Sequence, residues 1–138
     1  VKHSQLKPIN ISGDIISRLI DELPVLFIAC ATCNGLSVIE DIHELRYKES
    51  DRIEAMENGL KKLGIDIVST ENSIKITGGT FSGGIIDSYG DHRIAMSFLI
   101  AGLVSNKPIT VLNTSNINTS FPNFEDILRN QKIDVYTV

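Results

Sequence analysis

The sequence predicts an α/β fold of the α+β kind, assembled from a repeated βαβαββ unit. Short strand-like runs alternate with helical stretches along the chain. Two of those helical stretches are apolar on almost every face, which marks buried helices, while two others carry a charged face. One block order also occurs twice. It runs Asp21, apolar helix, Gly35, strand, charged or polar loop, amphipathic helix, "GIDIV". It then runs Asp91, apolar helix, Asn106-Lys107, strand, "NTSNINTSF", amphipathic helix, "KIDVY". A repeat of this size implies copies stacked on a shared core. The helices from Asp21 and Asp91 are expected inside, and those from Lys48 and Phe121 outside.

"LKPINIS" reads as a short strand. A buried helix is expected from about Asp21 to Asn34, with Asp21 as its cap, Pro24 in its first turn and Gly35 at its end. "LSVIED" is a strand. In "KESDRIEAMENGLKKLG", Ile53, Met56, Leu60 and Leu63 recur at helical spacing, and Gly64 closes the helix. "IDIVST" and "NSIKITG" form a hairpin across Glu71-Asn72. "TGGTFSGG" is Gly-rich but lacks the Lys-Ser/Thr ending of a phosphate loop, so it reads as a strand connection. "GGIIDS" is a strand, and "DHRIAMSFLIAGLVSN" a second buried helix opened by Asp91. "PITVLN" is a strand, "FPNFEDILRNQ" a short amphipathic helix with Pro122 in its first turn, and "IDVYTV" a closing strand.

The length suits one domain with a real core. The net charge of −4 argues against a sequence-independent nucleic-acid binder, which needs a basic face. No stretch is long and apolar enough to span a membrane, and no secretory leader is expected. Cys30 and Cys33 form a C-x-x-C, which permits a redox or metal reading. Their apolar surroundings favour two small buried hydrophobes, and no second pair completes a zinc site. Such cysteines suit a reducing, cytoplasmic compartment. The chain opens at Val1 on strand-like sequence, as a piece of a longer protein would.

The charged run "LRYKESDRI", residues 45 to 53, admits two explanations. Lys48, Glu49 and Arg52 fit a solvated first helical turn. They also fit a site for a small anion. Helix N-termini present free N–H groups and positive partial charge, and Arg offers a planar fork for phosphate or carboxylate. With Arg93 nearby, three such termini would form an anion pocket. Asp21 and Glu49, with Asp51 and Asp91 close by, would place acids beside bases, as proton transfer requires. Asp21 and Asp91 read equally well as plain N-caps. His92 could be a surface imidazole, and His43 stands at a strand end without an evident partner. No His, Cys and Asp cluster has ligand spacing, so no metal is assigned.

"IDELPVLFIACATCNG", "ELRYKESDRI", "DHRIAMSFLIAGLVSNKPITV" and "NTSFPNFEDIL" resemble the C-terminal part of the EPSP synthase (3-phosphoshikimate 1-carboxyvinyltransferase) family, in order and in gaps, from about Leu6 onward. The resemblance implies the enolpyruvyl transferase inverted α/β barrel, with helices inside, sheets outside and substrates between two domains. Residues 1–138 would form a single partial domain of about two of the three βαβαββ units in the C-terminal domain. The implied reaction moves the enolpyruvyl group of phosphoenolpyruvate to the 5-hydroxyl of shikimate 3-phosphate and releases phosphate, without metal or organic cofactor. By motif, Asp21 is a general base for the hydroxyl and Glu49 exchanges a proton with the methylene carbon. Lys48 binds at the hydroxyl end, Arg52 and Arg93 hold phosphoenolpyruvate, and Asp91 and His92 position Arg93. Some members carry lysine before the "SFP" turn, where Thr119 and Ser120 stand here, and some carry Asn in place of Glu44. The N-terminal domain would be the missing partner, and the isolated chain would be inactive and prone to self-association. A UDP-sugar enolpyruvyl transferase piece and a non-catalytic anion-binding remnant are the alternatives.

Overall fold

The structure, a computed structural model, describes residues 4–131. Strand β1 (Asn10–Ile11) leads through helices α1 (Asp14–Leu19) and α2 (Leu23–Ala31) to β2 (Leu36–Glu40). A 3₁₀ turn (His43–Tyr47) precedes α3 (Arg52–Lys62), and the hairpin β3 (Asp66–Ser69) and β4 (Ser73–Thr77) follows. Then come β5 (Gly84–Asp87), α4 (His92–Gly102), β6 (Ile109–Leu112), a further 3₁₀ turn, α5 (Ile117–Ser120) and α6 (Phe124–Asn130). The first sheet has the order β1-β2-β4-β3, with β1 parallel to β2 and the rest antiparallel. β5 and β6 form a second, parallel pair. A parallel strand pair joined through a buried helix thus occurs twice, as the repeated sequence block requires. The closing strand expected in "IDVYTV" lies outside the described residues.

Alternation fixes which way the first sheet faces. Ile39, Ile67, Ile74 and Ile76 point inward and are buried. Leu36, Val68 and Lys75 point out. A half-solvated antiparallel sheet shows this period-two pattern. Helices α2, α3 and α4 pack against one another on the inner side, α2 also meeting β4 and α3 meeting both β3 and β5. The expected α/β architecture, helices inside and sheets outside, is what the chain adopts.

Several local expectations need correction. Asp21 does not cap α2. Glu22 holds the cap position without a side-chain bond, and the Asp21 carboxylate turns to Arg52 instead. The helix is also shorter than expected, and α1, capped by Gly13 at φ 73, was not foreseen. "LKPINIS" contributes only two strand residues. α3 begins at Arg52 rather than Lys48, because Lys48 is extended and Asp51 supplies the cap. α3 is amphipathic but not peripheral, since Ile53, Met56 and Leu60 bury its inner stripe between the sheets. Pro122 lies between α5 and α6, not in a first turn, and Asn123 at φ 65 opens α6. "TGGTFSGG" is a connection, as expected, and it buries Phe81.

Tight packing joins α3 to α4. A Cβ on Gly59 would stand inside the Phe98 ring, and Phe98 is fully buried. On α4, Gly102 meets nothing within 4 Å. Gly59→Ala is therefore expected to destabilise the fold by about 1–3 kcal/mol through overpacking. Gly102→Ala should be neutral or stabilising by up to about 1 kcal/mol through helix propensity. Urea midpoints of the two variants check this, and equal shifts would contradict the packing account.

Candidate active site

The charged run divides into two groups. Arg46 faces the fold: its Nη1 donates to Asp51 Oδ2 at 2.7 Å, its Nη2 to the Thr70 carbonyl at 2.7 Å and its Nε to the Glu71 carbonyl at 3.0 Å. Asp51 in turn accepts from the Glu54 N–H at 3.0 Å and caps α3. This clamp ties the β3–β4 turn to the start of α3. The side chains between and beyond, Lys48, Glu49 and Arg52, face the other way.

Arg52 is the centre of the site. Its guanidinium is 1% exposed, and three carboxylates surround it. Nε donates to Asp91 Oδ2 at 2.8 Å, Nη1 to Asp21 Oδ1 at 3.1 Å and Nη2 to Glu49 Oε2 at 2.6 Å. Asp91 is wholly buried and has further work. It accepts from Ser50 Oγ at 3.0 Å and from the Arg93 N–H at 2.9 Å, which caps α4. Burial pushes the Asp91 carboxyl up, but the Arg52 hydrogen bond and charge, with the Arg93 N–H and Ser50, hold it below the ordinary range. Burial likewise works against the charged Arg52, and the bonds and charges of Asp91, Glu49 and Asp21 outweigh it. A buried ion pair needs such saturation, because desolvation otherwise exceeds the Coulomb gain. Among the described residues, no buried side-chain nitrogen or oxygen lacks a partner.

Lys48 Nζ bonds Glu44 Oε1 at 2.7 Å and lies 3.8 Å from Asp21 Oδ1. The Glu44 hydrogen bond raises the Lys48 pKa, so the side chain is held as a cation. Arg93 Nη1 donates to the Asp21 carbonyl at 2.8 Å and to Glu22 Oε1 at 2.7 Å. Two adjoining clefts open here, of about 340 and 450 Å³. The first is lined by Asp21, Arg93 and the apolar Val25, Met96 and Phe121. The second is lined by Glu49, Tyr89 and Asn116, and His92 and Ser120 border both.

All seven candidate residues therefore gather in one region: Asp21, Lys48, Glu49, Arg52 and Asp91 in one charge cluster, with Arg93 and His92 beside it. Asp51 does not join them. The pocket of three open helix termini is not formed either, since the Asp51 and Asp91 side chains fill the N-termini of α3 and α4. The parts played by Ser50 and Glu22, the Arg46 clamp and the pairing of Glu44 with Lys48 are not expected from the sequence. Arg46 reaches Asp51 five residues on through a non-helical turn, so no period announces it. Glu44 and Lys48 do stand four apart, a signal that was available. Cys30 and Cys33 are free and buried, and burial pushes the Cys30 thiol up, away from the reactive thiolate.

The chain thus has helices inside, sheets outside and a rim of paired acids and bases. The enolpyruvyl transferase NikO of Streptomyces tendae has this fold, with a TM-score of 0.72 at 20% identity over 94% of the chain and 29% of its own, a likeness in fold alone. The chain belongs to the EPSP synthase family: the sequence model of EPSP synthase (3-phosphoshikimate 1-carboxyvinyltransferase) matches residues 1–128. It is 49% identical over 127 residues to the 3-phosphoshikimate 1-carboxyvinyltransferase of Coxiella burnetii, covering 92% of this chain and 29% of that protein. The EPSP synthase of Acinetobacter baumannii superposes with a TM-score of 0.88 at 46% identity, over 91% of this chain and 30% of that one. The chain thus spans under a third of the length of these relatives.

The buried pair sets two expectations. Arg52→Met would leave the Asp91 carboxylate buried without its cation and should cost about 3–5 kcal/mol. Lys48→Met, at the cleft rim, should cost less than about 1 kcal/mol. Urea unfolding separates them, and similar costs would refute the central role of Arg52. Because the Asp91 pKa is depressed, its stabilisation is present at neutral pH and is lost as pH falls below the ordinary carboxylate value of about 4. Stability measured from pH 7 to pH 3 should decline at the acid end, and Asp91→Asn should flatten that decline.

Proposed function

We propose that this chain is the C-terminal part of an EPSP synthase and supplies one wall of its active site. The observation that carries the reading is the convergence of Asp21, Glu49 and Asp91, from three separate segments, on the buried Arg52, with Lys48 at the same rim. The proposed reaction joins the 5-hydroxyl oxygen of shikimate 3-phosphate to the central carbon of phosphoenolpyruvate. A proton goes to the methylene carbon and one leaves the hydroxyl. Loss of phosphate and of a proton from that carbon then restores the double bond. The chemistry needs an acceptor near the hydroxyl, an acid near the methylene and cations for phosphate and carboxylate.

The geometry suits these roles. A lysine is a cation at neutral pH and the Glu44 hydrogen bond reinforces this, so Lys48 is the proposed cation and Asp21, 3.8 Å from it, the proposed proton acceptor. Glu49 faces the second cleft, in reach of a ligand there. Arg52 and Arg93 are the cations for phosphoenolpyruvate, with Asp91 and His92 orienting the start of α4. The proposal takes residues 1–138 as about two units of the C-terminal domain. Exposed apolar side chains such as Leu103, Val104 and Ile127 are consistent with a surface that further chain would cover. The N-terminal domain is the proposed partner, and the two free, buried cysteines fit a cytoplasmic setting. The relatives' names give no support to a UDP-sugar substrate.

The test adds shikimate 3-phosphate and phosphoenolpyruvate and measures phosphate release. The isolated chain should release none, and adding the missing N-terminal part should restore turnover. In that complete enzyme, Glu49→Gln should lower the rate by about 10²–10⁴-fold. Release by the chain alone, abolished in Glu49→Gln, would mean that self-association completes the site.

A further inference from the structure

Each nitrogen of the Arg52 guanidinium already donates to a carboxylate: Nε to Asp91, Nη1 to Asp21, and Nη2 to Glu49 and, at 3.4 Å, to Asp91. The three partners differ in kind. Asp91 is fixed, since it is wholly buried and also holds Ser50 Oγ and the N-terminus of α4. Asp21 and Glu49 are not fixed in this way. Their side chains are 48% and 54% exposed, and each lines a cleft. Exposed ion pairs are weak and readily exchanged. The local charge also forbids simple addition of an anion. Asp21, Glu44, Glu49 and Asp91 stand against Lys48 and Arg52, and they are joined in one connected set of contacts.

We propose that Asp21 and Glu49 latch Arg52, and that a small phosphate- or carboxylate-bearing anion binds by displacing Glu49 from Nη2. This rests on the reading of the site given above and adds how the site is opened. The outer side chains occupy the place on the guanidinium that the ligand takes. Asp91 stays behind and keeps the cation buried and oriented. Glu49 is thereby released into the cleft only when an anion has replaced it, so the acid becomes available together with its substrate. In its latched state the cluster lowers the apparent affinity for anions, as any competing internal partner does.

The probe is phosphoenolpyruvate, titrated into the full chain and followed through the ¹⁵N signal of the Arg52 Nε–H and the ¹³C signal of the Glu49 carboxyl. Glu49→Gln should bind the probe about five-fold or more tightly than the unaltered chain, because the competing carboxylate is gone. Glu54→Gln, in α3 with Arg52 but not a partner of its guanidinium, is the control for general charge and should stay within about two-fold. In the unaltered chain, the probe should shift both the Arg52 and the Glu49 signals together. Binding that is unchanged or weaker in Glu49→Gln, or equally improved in Glu54→Gln, overturns the latch and leaves the anion site standing. If neither the unaltered chain nor Glu49→Gln binds the probe, and the Arg52 signal never moves, the anion-site reading fails and the latch fails with it.

Discussion

A fully buried guanidinium paired with a fully buried carboxylate constrains everything around it. Arg52 and Asp91 can remain ionised inside the protein only if the nitrogens and oxygens they carry are hydrogen-bonded. Meeting that demand draws in the Asp21 segment, the Ser50 hydroxyl and the first N–H groups of α4. One electrostatic requirement thereby docks the start of α3 against the start of α4 and the segment before α2. The residues of the candidate site are near one another for the same reason.

Packing enforces the same arrangement further along the helices. Gly59 lets the Phe98 ring approach the α3 backbone, a second point of contact between the two helices beyond their N-termini. α4 then has a second duty. Its Ala95 packs with Ile117, Phe124 and Leu128, a small cluster apart from the main core. The helix that presents Asp91, His92 and Arg93 is therefore held on both sides. The Arg46 clamp does for α3 what this packing does for α4: it fixes where the helix begins, and so where Lys48, Glu49 and Arg52 point.

Much of this was legible in the sequence, and the remainder was hidden for physical reasons. Hydrophobic period marked α3, an apolar run opened by Asp91 marked α4, and two strand-like runs either side of Glu71-Asn72 marked the hairpin. The repeat announced itself through block order. Side-chain destinations were less legible. Asp21 has the spacing of an N-cap, yet a buried cation three segments away outcompetes a local backbone bond. "ESDR" looks like a helical first turn, yet the helix starts at Arg52 because the Lys48 backbone is extended. Arg46 and Arg52 are both arginines within one run and have unrelated duties, which only the tertiary contacts distinguish. The motif resemblance named the seven candidate residues without any of this geometry, because a motif carries no account of the contacts that bring them together.

The charge balance of the cluster bears on what the rest of such an enzyme must provide. Four carboxylates stand against two cations around Arg52, and Arg93 is paired with Glu22. A surface of this kind does not attract anions by its field. On the proposed reading its substrates carry phosphates and a carboxylate, so further cations must face it from across the cleft. A chain spanning under a third of its relatives' length can lack them without contradiction. On that reading the acids of this wall move protons, and Arg52 and Arg93 share the holding of charge with cations on the facing wall.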